Sequence, residues 1–193
     1  MLPRVALTLA GYLIGSISFG LLTARRHGQD LRGQGSGNTG ATNVGRVLGR
    51  RLGRRVLVLD AAKGALPTLV AVFSFGPSDP VAALTGLATI VGHCFPLWHG
   101  FRGGKGAATA AGVMLALYPP AGLGALLVYL LAKRLTGRAS VGSLLGALTG
   151  ALVTAAALGA DPRSILGGVA FGLITLRHGD NIRRLFRGQE PEQ

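Results

Sequence analysis

Acidic residues are scarce in this chain: seven Asp and Glu stand against twenty Lys and Arg in 193 residues. The resulting net charge of +13 would point to a nucleic-acid partner in a soluble protein. Charge of either sign is scarce too, at 14% of residues, while 49% are hydrophobic, which excludes an ordinary soluble domain of this size. The basic residues then serve as topology determinants and contacts to anionic lipid, and no nucleic-acid partner is expected. A single cysteine, Cys94, excludes an internal disulfide framework, offers no metal cluster, and reads as a small buried hydrophobe. A twin-arginine signal is missing as well, because Arg25 and Arg26 follow the first apolar run instead of preceding it. No clear small-residue cleavage site separates run from pair, so the run is read as a retained first span.

What the chain has in abundance is glycine, 32 residues of it, set in long apolar runs as in helices that pack closely within lipid. The expected fold is all-α: an integral membrane protein of about seven transmembrane helices, some short or broken, forming one domain over residues 1–193. The runs fall at residues 3–24, 56–75, 81–98, 107–118, 119–132 and 140–158, with a last one ending near 176. Two adjacent prolines, Pro119 and Pro120, break what would otherwise be one helix from 107 to 132. The first half of that block spans only about 18 Å by the helical rise, short of a bilayer of about 30 Å. Gly11 and Gly15, then Gly142, Gly146 and Gly150, then Gly168 and Gly172, recur at the spacing of close helix contacts. Asp60 and Lys63 lie three apart on one helix face, where they can pair and turn inward.

Charge orients the spans. With the N-terminus outside and the C-terminus cytoplasmic, residues 25–55, 99–106, 133–139 and the tail from 177 lie inside. Nearly every Lys and Arg then falls on that side, with Arg4, Lys63 and Arg163 as exceptions.

Three polar segments share that cytoplasmic face. Gly35-Ser36-Gly37-Asn38-Thr39-Gly40-Ala41-Thr42-Asn43-Val44-Gly45-Arg46 combines glycines, hydroxyl and amide donors, and a guanidinium, a chemistry suited to phosphate. Its G-x-G-x-x-G spacing lacks the strand that a dinucleotide site requires, and a flexible surface loop would share its composition. Gly103-Gly104-Lys105-Gly106 leads into a helix whose free N–H groups favour an anion, with Lys105 as a mobile point charge. It is no Walker A loop, since Gly106 stands where magnesium needs Ser or Thr, and a basic loop touching headgroups is the plainer alternative. In the tail, His178 and Asn181 lie one helical turn apart and can face one ligand, although charged ends of last spans commonly act as membrane anchors.

Together with Gly92-His93-Cys94-Phe95-Pro96, Phe101-Arg102 and Ala107-Ala108-Thr109 around the second segment, these stretches resemble, in order, the signature motifs of the bacterial acyl-phosphate:glycerol-3-phosphate acyltransferase family (PlsY). The Asp60-x-x-Lys63-Gly64 run also resembles a family segment. The resemblance extends over nearly the whole chain. It implies transfer of a fatty acyl group from acyl-phosphate to the sn-1 hydroxyl of glycerol 3-phosphate, giving lysophosphatidic acid and phosphate, the first acylation of phospholipid synthesis. It implies Ser36, Arg46, Lys105, His178 and Asn181 as the catalytic set holding the two phosphates. Gly35, Gly37, Asn38, Asn43, Gly103, Gly104 and Gly106 follow as donors of the two loops, with Thr42, Thr109 and Ser143 as hydroxyl contacts. No cofactor or metal is implied. The expected surroundings are the bacterial inner membrane and its lipids, with the soluble enzyme that makes acyl-phosphate as a partner.

The His-x-x-x-x-Asp pair of many lipid acyltransferases is absent: none of His27, His93, His99 and His178 has an Asp five residues on. Acyl-phosphate is a mixed anhydride, so positioning and charge stabilisation can carry much of the rate, with a substrate phosphate as base. The competing expectation is a transporter or channel for a phosphorylated solute, which also aims helix N-termini at anions. Its mark, an inverted repeat, is missing, and the outer turns are tiny. A lipid scaffold, a third reading, would not need three donor-rich segments.

Overall fold

A computed structural model describes residues 1–192, and their regular structure is entirely helical. The first apolar run does not make one continuous helix. It gives α1 (Leu2–Gly15) and α2 (Phe19–Arg26), bent apart at Ser16, Ile17 and Ser18. Serines compete for backbone partners. Ser16 Oγ donates to the Tyr12 carbonyl at 2.9 Å, and Ser18 Oγ caps α2 by accepting the Leu21 N–H at 3.4 Å. Beyond an irregular stretch come α3 (Ala41–Leu48) and α4 (Arg50–Phe75). The latter starts well before the expected residue 56, because Arg50, Arg51, Arg54 and Arg55 lie on the exposed outside of its first turns and cost it nothing as helix formers. Next, α5 (Pro80–Cys94) begins at Asp79, whose carboxylate accepts the Val81 N–H and pairs with Arg4 at 2.9 Å.

A 3₁₀ turn (Leu97–His99) precedes α6 (Ala107–Leu117) and α7 (Pro119–Thr136), which divide at Tyr118 as the paired prolines demand. The chain closes with α8 (Ala139–Leu158), α9 (Pro162–Arg177) and α10 (Gly179–Phe186). Four stretches, Leu2–Arg26, Arg50–Phe75, Pro80–His99 and Ala139–Leu158, are long and apolar enough to cross a membrane, and α6 is a shorter apolar helix. Large apolar residues such as Val58, Leu66, Phe73, Leu123 and Ile165 stand exposed along the outside, the surface of a bundle solvated by lipid.

Small residues let the helices touch backbone to backbone. Gly15 of α1 lies against the Thr89 carbonyl of α5, and Gly64 and Gly112 bring α4 and α6 together at Thr109 and Ala61. On α8, Gly142 and Gly146 meet the carbonyls of Tyr129 and Ala125 on α7. Gly168 and Gly172 depart from expectation: nothing lies within 4 Å of where their side chains would begin, so their side of α9 makes no close contact. A methyl on Gly112 would overlap the Ala61 carbonyl oxygen. Gly112→Leu is accordingly expected to cost about 1–3 kcal/mol by forcing α4 from α6, read as a lower thermal midpoint in detergent. An unchanged midpoint would mean the crossing is slack.

Candidate active site

The first loop is shaped by one amide. Asn43, buried on α3, accepts the Ser36 N–H on Oδ1 at 2.8 Å and donates from Nδ2 to the carbonyls of Leu31 (3.2 Å) and Gln34 (3.0 Å). Its hydrogen-bonding capacity is largely spent on the loop itself. Gly35 adopts φ +61°, and any side chain there would strike Asn43 Oδ1, so only glycine fits. A small cluster of Ala24, Leu31, Val44 and Val56 seats this loop on α2, α3 and α4. Asn38 likewise turns inward, its Oδ1 accepting the Gly40 N–H at 2.8 Å.

The second loop is held from two sides. The N–H groups of Gly103 and Gly104 donate to the carbonyls of Cys94 and His93, both at 3.1 Å. Their own carbonyls accept from Arg177, whose Nη2 reaches Gly103 O at 3.0 Å and Nε reaches Gly104 O at 3.1 Å. These two glycines are thus committed to scaffold. The donors left open are the first-turn N–H groups of α6, which a helix cannot satisfy by itself.

The tail supplies the third wall. His178 ends α9, and its Nδ1 lies 2.8 Å from the Ile174 carbonyl. A carbonyl only accepts, which places the proton on Nδ1 and leaves Nε2 as an acceptor. Burial, reinforced by the neighbouring Lys105 charge, pushes this imidazole down to about 4. Asn181 on α10 accepts from Lys105 Nζ on Oδ1 and donates from Nδ2 to Glu190 Oε1 at 2.6 Å. Glu190, folded back and 4% exposed, also accepts from Ser140 Oγ at 2.8 Å and Arg184 Nε at 2.7 Å. Burial alone would raise its pKa, but the bonds from Asn181, Ser140 and Arg184 outweigh it and hold the carboxyl below its usual range. Burial pushes the Lys105 ammonium down to about 8, with Glu190 opposing the shift and the charges of Arg184 and Arg46 adding to it.

These walls enclose one cavity of about 320 Å³. Its head is polar, lined by Ser36, Arg46, Lys105, His178, Asn181 and Glu190, while Met114, Leu126, Ala147, Ala151 and Phe171 make the rest apolar. All five residues expected in the catalytic set face this space, together with Asn38, Thr42, Asn43, Gly106 and Ser143. Gly35, Gly37, Gly103, Gly104 and Thr109 do not line it; Thr109 is fully buried against Gly64. Sequence reasoning missed Glu190 and Ser140. The one available signal was the rarity of acids, which makes a carboxylate just after a His-Asn segment conspicuous.

An all-helical bundle with an exposed apolar exterior and a cation-rich head above an apolar slot defines an integral membrane protein built to hold a tailed anion. Residues 5–188 match the family model described as Glycerol-3-phosphate acyltransferase. Relatives of that name include one from Myxococcus xanthus, 46% identical, covering 96% of this chain and 97% of its own length. Another, from Aquifex aeolicus, is 44% identical, covering 95% and 96%. The crystal structure of PlsY (YgiH), an integral membrane glycerol 3-phosphate acyltransferase, in its glycerol 3-phosphate form superposes with a TM-score of 0.96 at 41% identity over 99% of this chain and 96% of that one. Its lysophosphatidic acid form gives 0.92 at 40% identity, covering 98% and 95%. The chain belongs to the glycerol-3-phosphate acyltransferase family, and it is therefore an enzyme of phospholipid synthesis. The transporter reading finds no support among these relatives.

Proposed function

We propose that this chain transfers a fatty acyl group from acyl-phosphate to the sn-1 hydroxyl of glycerol 3-phosphate, with the cavity head binding both phosphates and the apolar slot taking the tail. The observation carrying this reading is the juxtaposition of Arg46 and Lys105 above an apolar slot in one cavity. In the proposed step the hydroxyl oxygen bonds to the acyl carbonyl carbon and the bond from that carbon to the phosphate oxygen breaks. The hydroxyl proton ends on the phosphate that leaves. Arg46 and Lys105 neutralise charge that builds on the carbonyl and phosphate oxygens, while Ser36 and the first turn of α6 donate hydrogen bonds. His178, too weak a base at about 4 to keep a proton, serves as an acceptor that orients the hydroxyl through Nε2, which suits a substrate phosphate as the base.

The segments that frame the head carry most of the Lys and Arg, which supports a head on the cytoplasmic side of the bacterial inner membrane, the N-terminus outside, and about seven spans within one domain. Acyl-phosphate then arrives from the lipid or from the soluble enzyme that makes it. The test is incubation of lipid-reconstituted protein with palmitoyl-phosphate and glycerol 3-phosphate, measuring phosphate and lysophosphatidate, with palmitoyl-CoA in parallel. Product from acyl-phosphate alone is expected. Product from the CoA donor alone would overturn the donor assignment.

Acidity gives a second check. Lys105 is charged below about 8, so kcat/KM should fall as pH rises through that value. Phosphate binding favours the ammonium and moves the limb of kcat upward. His178 should contribute no limb at the ordinary imidazole pKa of about 6.5, since it is already neutral there, and a limb at about 6 belongs to the second ionisation of the substrate phosphate. Whatever activity Lys105→Arg retains should lack the alkaline limb, because guanidinium stays charged. A persistent limb near 8 in that variant would assign it to another group.

A further inference from the structure

Three ionisable side chains that the chemistry just described does not use sit inside the bundle, and two of them, Asp60 and His93, reach the wall of the same cavity. Asp60 and Lys63 on α4 are 2% and 3% exposed, and His93 on α5 is buried beside them. Lys63 Nζ sits 2.9 Å from Asp60 Oδ1 and donates to the Ile17 carbonyl at 2.7 Å, in the bend between α1 and α2. His93 Nδ1 lies 3.6 Å from Asp60 Oδ1. Ions held among apolar helices are costly to desolvate, and a pure packing role is filled more cheaply by hydrocarbon.

The cluster ends on the second loop. The His93 ring lies so close under Gly104 that a methyl there would overlap Nε2, while the His93 carbonyl holds the Gly104 N–H. Arg177 grips the same glycines through their carbonyls. The loop is thus fastened to its neighbours through residues 103 and 104, and Lys105 is the next residue, the first to face the cavity. We infer that Asp60 and His93 are positioning residues for acyl transfer: a contact chain from the α1–α2 bend through Lys63, Asp60 and His93 sets the height of the 103–106 loop and so the place where Lys105 meets a substrate phosphate. Lys63 fixes Asp60, the Asp60 carboxylate presents its charge to the Nδ1 edge of the imidazole across 3.6 Å without a hydrogen bond, and the imidazole is the shelf on which Gly104 rests. With Nε2 turned to that glycine, the ring acts on the loop and not on a hydroxyl. This role rests on the proposed phosphate site.

The test separates the two. Glycerol 3-phosphate binding to the full chain is measured by calorimetry, and KM and kcat by turnover with palmitoyl-phosphate, for wild type, His93→Ala, Gly104→Ala and the double variant. His93→Ala and Gly104→Ala should each weaken glycerol 3-phosphate binding and raise KM about tenfold or more, since each displaces Lys105. In the double variant the added methyl has no ring to strike, so Gly104→Ala should cost little on top of His93→Ala. A merely structural role lowers kcat with the folded fraction and leaves KM unchanged, and that result would overturn the inference, as would fully additive costs. Should His93→Ala fail to fold, Gly104→Ala still decides the matter, because it removes no buried charge: it must raise KM in the protein that is folded, whatever the overlap with the ring costs in thermal midpoint. A wild type that binds glycerol 3-phosphate yet makes no lysophosphatidate would sink the proposed reaction and leave the binding comparison readable.

Discussion

Lys105→Ala is expected to lower kcat/KM for glycerol 3-phosphate by two to three orders of magnitude, about 3–4 kcal/mol, the scale of losing one preorganised donor to developing negative charge. The size follows from where the ammonium sits. It is held by Asn181 in a partly buried head, where each charge interaction counts for more than at an open surface. Lys105→Arg should keep the charge and recover part of the loss, because a planar fork cannot reproduce the single bond to Asn181. Folding should change little, since removing a buried ammonium relieves desolvation while leaving one amide oxygen without its donor. Steady-state kinetics on folded variants gives the answer. Activity near wild type in Lys105→Ala would move phosphate recognition to Arg46 alone.

The second large effect belongs to Glu190. One carboxylate accepts from Asn181, Ser140 and Arg184, and its backbone carbonyl takes Arg138 Nε at 3.1 Å, so the tail is latched to α8 and α10 at once. Glu190→Ala strands all three donors. Breaking one side of a buried ion pair costs about 3–5 kcal/mol, and Arg184, partly open to water, places this at the lower end. For a chain of this length that corresponds to a fall of roughly 6–12 °C in thermal midpoint. Activity should fall at least tenfold at temperatures where the variant is still folded, because Asn181 is freed and Lys105 loses its anchor. Glu190→Gln keeps one acceptor oxygen and should lie between. Deleting residues 189–193 should match Glu190→Ala. Full activity after that deletion would reduce the latch to a bystander.

How far these features were legible beforehand depends on their range along the chain. The division of α6 from α7 was plain, because the paired prolines act on the backbone where they stand. The three segments that line the cavity head could be gathered from charge alone, since basic residues choose a side of the membrane. The bend between α1 and α2 was not visible: an apolar run with two serines is compatible with an unbroken helix, and Lys63, which takes the freed Ile17 carbonyl, lies 46 residues away. Distance also hid Glu190, whose partner Ser140 is 50 residues off. Donor-rich motifs mislead in a different way. Asn43, Gly103 and Gly104 have the chemistry of ligands, yet their hydrogen-bonding groups are spent, on its own loop for Asn43 and on the ends of α5 and α9 for the two glycines, an outcome that only the folded geometry decides. The small residues at 168 and 172 carry the spacing of a crossing without a helix beside them.

The brevity of α6 has its own consequence. Eleven residues cover about 16 Å, about half of a hydrocarbon layer of about 30 Å, so α6 by itself is too short to cross one between Tyr118 and the 103–106 loop. A helix of full length would lift that loop to the level of the headgroups. The polar head and the apolar slot thus meet in one cavity behind a short helix, and in the proposed reaction this is where a water-soluble anion and a greasy co-substrate come together. On that proposal a short helix moves the boundary between two solvents to the point where their solutes react, and the lipid product forms in the phase it will occupy.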